Sequence, residues 1–239
     1  MKKLVLLLAF GLVACVNPPE VSVPYTKQSY TSKSKLKTIF KTATPESINK
    51  FYESLQYGHN FGLVSKMNED MYLATILTEV GTDLVGVREN LNYSCSSLKT
   101  MFSYYSKNGG YNDDGRCNNH DANQPAIGNK AYSNRLGNGG VSTGDGYRFR
   151  GGGYAQTTGR YNYQVIVDGV NKLIGSSYTV DNFADNIHKP YIANLGGMGY
   201  WYQVDAGSCD TMDCVTDKWN KYTKSREERN SNYVWISGL

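Results

Sequence analysis

Leu136-Gly-Asn-Gly-Gly-Val-Ser-Thr-Gly-Asp-Gly-Tyr-Arg-Phe-Arg-Gly-Gly-Gly-Tyr-Ala-Gln-Thr-Thr-Gly159 is the stretch on which the reading of this 239-residue chain turns. Glycine at this density lets the backbone fold tightly and lets a polymer approach it closely. On either side the pattern is helical. Helices are predicted over 125–136 and 161–174, and beyond them over 96–105, 180–195 and 212–222. Upstream, 63–79 places Met67, Met71, Ala74 and Leu77 on one helical face. Thr44 is a fitting N-cap for a helix that starts at Pro45 and carries Ile48, Phe51, Tyr52 and Leu55 at helical spacing. No internal repeat and no second domain is visible. The expected architecture is one mainly helical domain, with a short hairpin or loop region in its glycine-rich middle lining a cleft.

Residues 16–43 are rich in Pro, Ser, Thr and Lys with little apolar periodicity, and read as a flexible tether before a domain over 44–239. The first residues read as an export signal: Lys2 and Lys3, an apolar run from Leu4 to Phe10, then small residues up to Cys15. The run is too short for a permanent span, which needs about 20 apolar residues. Leu12-Val-Ala-Cys15 resembles the lipobox of bacterial lipoproteins, which implies cleavage after residue 14 and a lipid on Cys15. Val16, where aspartate would stand in an inner-membrane lipoprotein, resembles the sorting pattern for an outer membrane facing the periplasm. Removing residues 1–14 leaves 23 basic and 21 acidic side chains, a net charge of +2. With no basic block either, nucleic acid is not an expected partner.

Four cysteines remain, and an even number in an exported chain implies disulfides. Three connectivities are open, and local pairing, Cys95–Cys117 with Cys209–Cys214, is the simplest. Zinc is the rival reading, weakened by the lack of any C-x-x-C and by the wide spacing of His59, His120 and His188. No metal or cofactor is implied, and a monomer is the expected state.

Two glutamates suggest chemistry. Glu79 ends an apolar helix, where burial would disfavour its charged form and suit a proton donor. Glu89 follows among Arg88, Asn90 and Asn92, a polar setting in which a carboxylate stays ionised. Glycoside hydrolysis needs such a pair. Two glutamates ten residues apart are common, and the plain alternative is a helix-end acid followed by a surface acid.

The surrounding residues are more specific. Met71-Tyr-Leu-Ala-Thr-Ile-Leu-Thr-Glu79 and Arg88-Glu-Asn-Leu-Asn-Tyr-Ser94 resemble the catalytic segments of glycoside hydrolase family 19, which includes chitinases and phage endolysins. Ala131-Tyr-Ser-Asn-Arg-Leu-Gly-Asn-Gly139 and Gly144-Asp-Gly-Tyr-Arg-Phe-Arg-Gly-Gly-Gly-Tyr-Ala-Gln-Thr-Thr-Gly-Arg-Tyr-Asn-Tyr163 resemble its central signature in endolysin-like form. The likeness covers about 46–174 and returns weakly near 215–229. It implies a lysozyme-like fold and an inverting reaction, with Glu79 as general acid, Glu89 as general base and Thr158 helping to hold the attacking water. It further implies that Gln156 and Asn162, and less securely Asn220 and Arg229, bind sugar or orient catalytic groups. Tyr93 is a plausible sugar contact or simply a packed aromatic. The chain departs from the family pattern at Thr78, where histidine is usual, and at Gly152, where Gly-Arg-Gly is usual.

The function expected from all this is hydrolysis of β-1,4 links in the glycan strands of peptidoglycan by a lipid-anchored envelope enzyme. The partners would be that polymer, or a chitin-like one, and a bilayer reached through the anchor. A chitinase and a non-catalytic glycan-binding lipoprotein are the alternatives.

Overall fold

The computed structural model describes residues 29–117 and 120–239. The export signal, Cys15 and the first part of the expected tether, up to residue 28, therefore lie outside the described residues. The chain runs through α1 (Lys33–Ile39), α2 (Pro45–Leu55), α3 (Lys66–Val80), α4 (Cys95–Met101), α5 (Ser103–Asn108), α6 (Tyr111–Asp114) and α7 (Gln124–Ala131). It continues through α8 (Asp145–Arg148), α9 (Arg160–Ile174), α10 (Val180–Asn186), α11 (Pro190–Gln203), α12 (Met212–Asn220) and α13 (Arg226–Ser237). Among the described residues, extended pairing is confined to isolated bridges such as Arg88 with Gly152 and Gly152 with Thr157. The fold is mainly helical, and the glycine-rich middle is a loop rather than a hairpin of regular strands.

Local chemistry accounts for most of the helix ends. Thr44 caps α2 through its side chain with Pro45 in the first turn, as the sequence suggests. Ser65 caps α3 by accepting from the Asn68 amide, so this helix begins later than 63. Caps of this kind contribute about 1 kcal/mol each. The helix predicted over 180–195 is two helices. Pro190 lacks the amide needed to continue a helix and holds Lys189 in an extended conformation at ψ 133°. The helix predicted over 96–105 is also two, divided at Phe102, whose backbone is extended at φ −119°, ψ 121°. The one predicted over 125–136 ends at Ala131, before Asn134 and Leu136 adopt positive φ. Met67, predicted on the inner face of α3, is exposed.

The tether boundary near residue 43 is corrected. Ser32 caps α1, and Leu36, Ile39 and Phe40 are buried in the main core. The segment is fastened to α3 by polar contacts as well. Lys35 and Lys66 both pair with the buried Asp70. The buried Glu69 accepts from the Ser29 hydroxyl at 2.9 Å and the Tyr30 amide at 3.1 Å. A run of lysines with few visible apolar residues conceals an amphipathic turn, and the packed domain begins near residue 30.

Two cores result. The larger gathers α1–α3 and α9–α13 around Tyr72, Tyr154, Phe183, Met198 and Trp201. The smaller holds Leu91, Leu98, Phe102, Tyr105, Ile127, Ala131 and Tyr132. The Cys95–Cys117 disulfide ties down the smaller unit and Cys209–Cys214 closes the turn before α12, the local pairing being the observed one. Among the described residues, no helix is long and apolar enough to cross a membrane.

Candidate active site

Glu79 lies in the last turn of α3, one residue before the helix ends at Val80. Helix α3 is buried through its middle, where Met71, Tyr72, Leu73, Ala74, Thr75 and Ile76 are enclosed. Glu79 emerges where that burial gives out, with 23% of its side-chain surface exposed. Its carboxylate pairs with Arg229 of α13, a residue that is itself fully buried. Arg229 Nε and Nη1 find no partner among the described residues, so the guanidinium's one hydrogen bond there is to Glu79. Burial raises the Glu79 carboxyl above the usual carboxylate range, against the opposing pull of Arg229 and the Trp219 side chain. The neighbouring Thr78, where the family pattern has histidine, donates to Ala74 O and accepts from Asn232 of α13. Thr78 and Glu79 thus both join α3 to α13.

Glu89 is placed differently from the polar, open setting its neighbours suggested. It is 5% exposed. The reason is that its chain segment lies against the glycine-rich loop: Glu89 N donates to Gly151 O at 2.7 Å, and Gly153 N donates to Val87 O. The carboxylate accepts from the Tyr132 hydroxyl, 2.7 Å from Oε1 and 2.9 Å from Oε2, and from the Gly151 amide at 3.2 Å. Both donors, a phenol and a backbone amide, are uncharged. Glu79 and Glu89 are not bonded to each other. Each has its own partners.

The loop gathers three more of the expected residues. A Cβ added at Gly151 would sit 3.2 Å from Gln156 Oε1, 3.3 Å from Glu89 Cβ and 3.4 Å from Thr158 Oγ1. Glu89, Gln156 and Thr158 therefore surround one backbone position that has no side chain. Gln156 has φ 50° and donates from Nε2 to Gly153 O. The Thr158 hydroxyl donates to Gln156 O, and Asn162 donates from the first turns of α9 to Thr158 O. Asn162 thus braces the loop through its amide nitrogen.

The remaining residues divide. Tyr93 is half-buried and edge-on to Phe102 at 5.1 Å between ring centroids, packed against the smaller core; burial, and to a lesser degree the nearby Glu89, raises its phenol above the usual range. Arg229 is corrected from a sugar contact to the partner of Glu79, since a fully buried guanidinium presents nothing to a ligand. Asn220 ends α12 next to Trp219, and its Oδ1 is buried without a protein partner. A shallow hollow bounded by residues 176–179 and Asn182 contains none of these residues.

Three contributors were not foreseen from sequence. Tyr132 lies within the quoted Ala131–Gly139 segment, but its hold on Glu89 depends on a contact across 43 residues. Arg150 donates from Nε to Glu89 O at 3.2 Å and from Nη1 to Tyr147 O at 2.7 Å. Arg88 donates to Tyr163 OH, Ala184 O and Arg148 O. It also explains Gly152: a Cβ there would meet Tyr163 OH at 2.4 Å, Ile187 Cγ2 at 2.8 Å and Arg88 Nη1 at 3.2 Å. An arginine at 152 has no room. The space is filled by Tyr163, Ile187 and the guanidinium of Arg88.

A glycosyl hydrolase family 19 domain-containing protein of Haemophilus influenzae is 28% identical to this chain over 191 residues, which are 80% of this chain and 89% of that protein. The resemblance to glycoside hydrolase family 19 is shown. No family model matches the chain. The aligned length exceeds the span of the quoted motifs, so the likeness to that protein is not confined to the central loop.

Proposed function

We propose that this protein is a glycoside hydrolase that cleaves β-1,4 links in the glycan strands of peptidoglycan by an inverting mechanism. The observation that carries the reading is the contrast between two carboxyl groups. Glu79 is held above the usual carboxylate range by burial, as a proton donor to the leaving oxygen must be. Glu89 is held in one position by the Tyr132 hydroxyl and the Gly151 amide, as a base activating water must be. In inverting enzymes the two carboxyls stand about 6.5–9.5 Å apart with the water between. Thr158, in contact range of the same loop position as Glu89, would help to hold that water. The likeness to a protein named for a family 19 domain supports the hydrolase class.

The enzyme would act from the cell envelope, held by a lipid on Cys15 after cleavage of residues 1–14, with the domain starting close behind a short linker. Cys15→Ser should release an otherwise folded domain into soluble fractions, and mass spectrometry finding an unmodified Cys15 in the mature protein would defeat the anchor. The activity is tested on purified sacculi and on chitin oligomers. Release of reducing ends from sacculi with the α-anomer formed first supports the proposal. Cleavage of chitin alone would make it a chitinase, and binding without turnover on either polymer would make it a glycan-binding lipoprotein.

A further inference from the structure

Arg150 stands apart from the other buried or half-buried arginines. Arg148 and Arg160 pair with Asp145, Asp181 and Asp185, and Arg229 pairs with Glu79. Arg88 has no acid partner, but both its terminal nitrogens are taken up by carbonyls and the Tyr163 hydroxyl. Arg150 is partly exposed, and no carboxylate among the described residues lies within ion-pairing distance of it. Its Nε and Nη1 are used by the carbonyls of Glu89 and Tyr147, while Nη2 has no partner among the described residues. The guanidinium carbon stands over the Tyr147 ring, 3.8 Å from its centroid, and Tyr147 is packed against the smaller core. The cation is thus fixed from below and behind, one residue before the Gly151 amide that binds Glu89, with one N–H edge uncommitted.

A fixed, half-buried guanidinium without a counter-ion suits an anion brought by the ligand, since arginine's planar fork matches a carboxylate. Chitin offers none, because every sugar in it is neutral. Peptidoglycan offers carboxylates on its stem peptides, or on the lactyl ether of the muramyl sugar where the peptide has been removed. We propose that Arg150, seated on Tyr147, docks a carboxylate of the substrate strand and so selects peptidoglycan over chitin. This rests on the hydrolase reading above and names the feature of the polymer that the site recognises.

The test compares kcat/KM of the full chain and its Arg150→Gln variant on three substrates: peptide-bearing glycan strands, strands stripped of peptide by an amidase, and chitohexaose. A charge-assisted hydrogen bond contributes on the order of 10–100-fold. Arg150→Gln should therefore lower the ratio of peptidoglycan to chitohexaose cleavage by that factor, with Arg150→Lys in between. A ratio that falls only on peptide-bearing strands assigns the stem-peptide carboxylate, one that falls only on stripped strands assigns the lactyl carboxylate, and a fall on both shows that the guanidinium takes either. An equal loss on all three substrates overturns the proposal and leaves Arg150 as a brace for the Glu89 carbonyl. Binding of the same ligands in a Glu79→Gln background, measured by calorimetry, keeps the question separate from turnover. If the wild type cleaves nothing, the hydrolase reading fails. In that case an unchanged preference between charged strands and chitohexaose on adding Arg150→Gln overturns the docking role too.

Discussion

Glu79 and Glu89 are the same residue type, ten positions apart, and the protein treats them in opposite ways. Glu79 lies in the last turn of a long helix sunk in the larger core, and its charged partner is a buried cation 150 residues further along the chain. Glu89 lies in irregular chain between the two cores, and its partners are a phenol and a backbone amide. In the first case burial prevails over a salt bridge, and the proton is kept longer. In the second, two uncharged donors hold a carboxyl that is almost fully enclosed. The lesson is that exposure alone does not describe a carboxyl's setting here. The more exposed of the two is the one whose proton burial retains.

The sharpest way to break this comparison is to remove each carboxyl's chemistry while keeping its shape. Glu79→Gln and Glu89→Gln should each lower sacculus hydrolysis by about 10²–10⁴-fold with glycan binding retained. Full activity in the Glu79 variant would show that the acid lies elsewhere. Tyr132→Phe comes next. It leaves the ring packed edge-on to Phe102 and removes only the hydroxyl, so kcat should fall on the order of 10–100-fold with KM little changed. A loss expressed in KM instead would mean that Tyr132 meets the sugar directly. Thr158→Ala should cost less, roughly 10-fold, because the hydroxyl only helps to place a water, and steady-state rates at saturating substrate would measure it.

The smallest effect in rate is the most direct test of the acid's setting. Arg229 favours the ionised form of Glu79, so removing the cation disfavours that form and raises the pH at which the proton leaves. In Arg229→Gln the alkaline limb of the pH–rate profile should therefore move to higher pH. A limb that stays still while activity drops would mean that Arg229 serves only to pack α13 on α3. The sign for stability is the ordinary one for a raised carboxyl: folding binds the Glu79 proton more tightly than the unfolded chain does. That contribution is present at low pH and is lost as pH rises through the folded-state value.

The helices were legible because their signals are local. Thr44 and Pro45 announce α2, and Ile48, Phe51 and Leu55 give its inner face. Breaks were missed where the signal was weak beside a continuing apolar pattern, at Phe102 and before Pro190. Helix α1 was missed because its three lysines disguise the buried Leu36 and Ile39, and α13 because it is largely polar and packs through Arg229 and Ile236. The two glutamates, Gln156, Thr158 and Asn162 were reachable through the quoted motifs. Tyr132, Arg150 and the true place of Arg229 were not. Each depends on a contact made only when distant segments meet, and no spacing along the chain encodes it.

The pairing of Glu79 with Arg229 has a consequence in time as well as in space. A chain synthesised from its N-terminus presents Glu79 long before Arg229 has emerged. Until α13 seats on α3, the guanidinium that pairs with the Glu79 carboxylate is missing. The setting of the candidate acid is therefore among the last parts of the domain to be completed, and it matures only as the final helix docks.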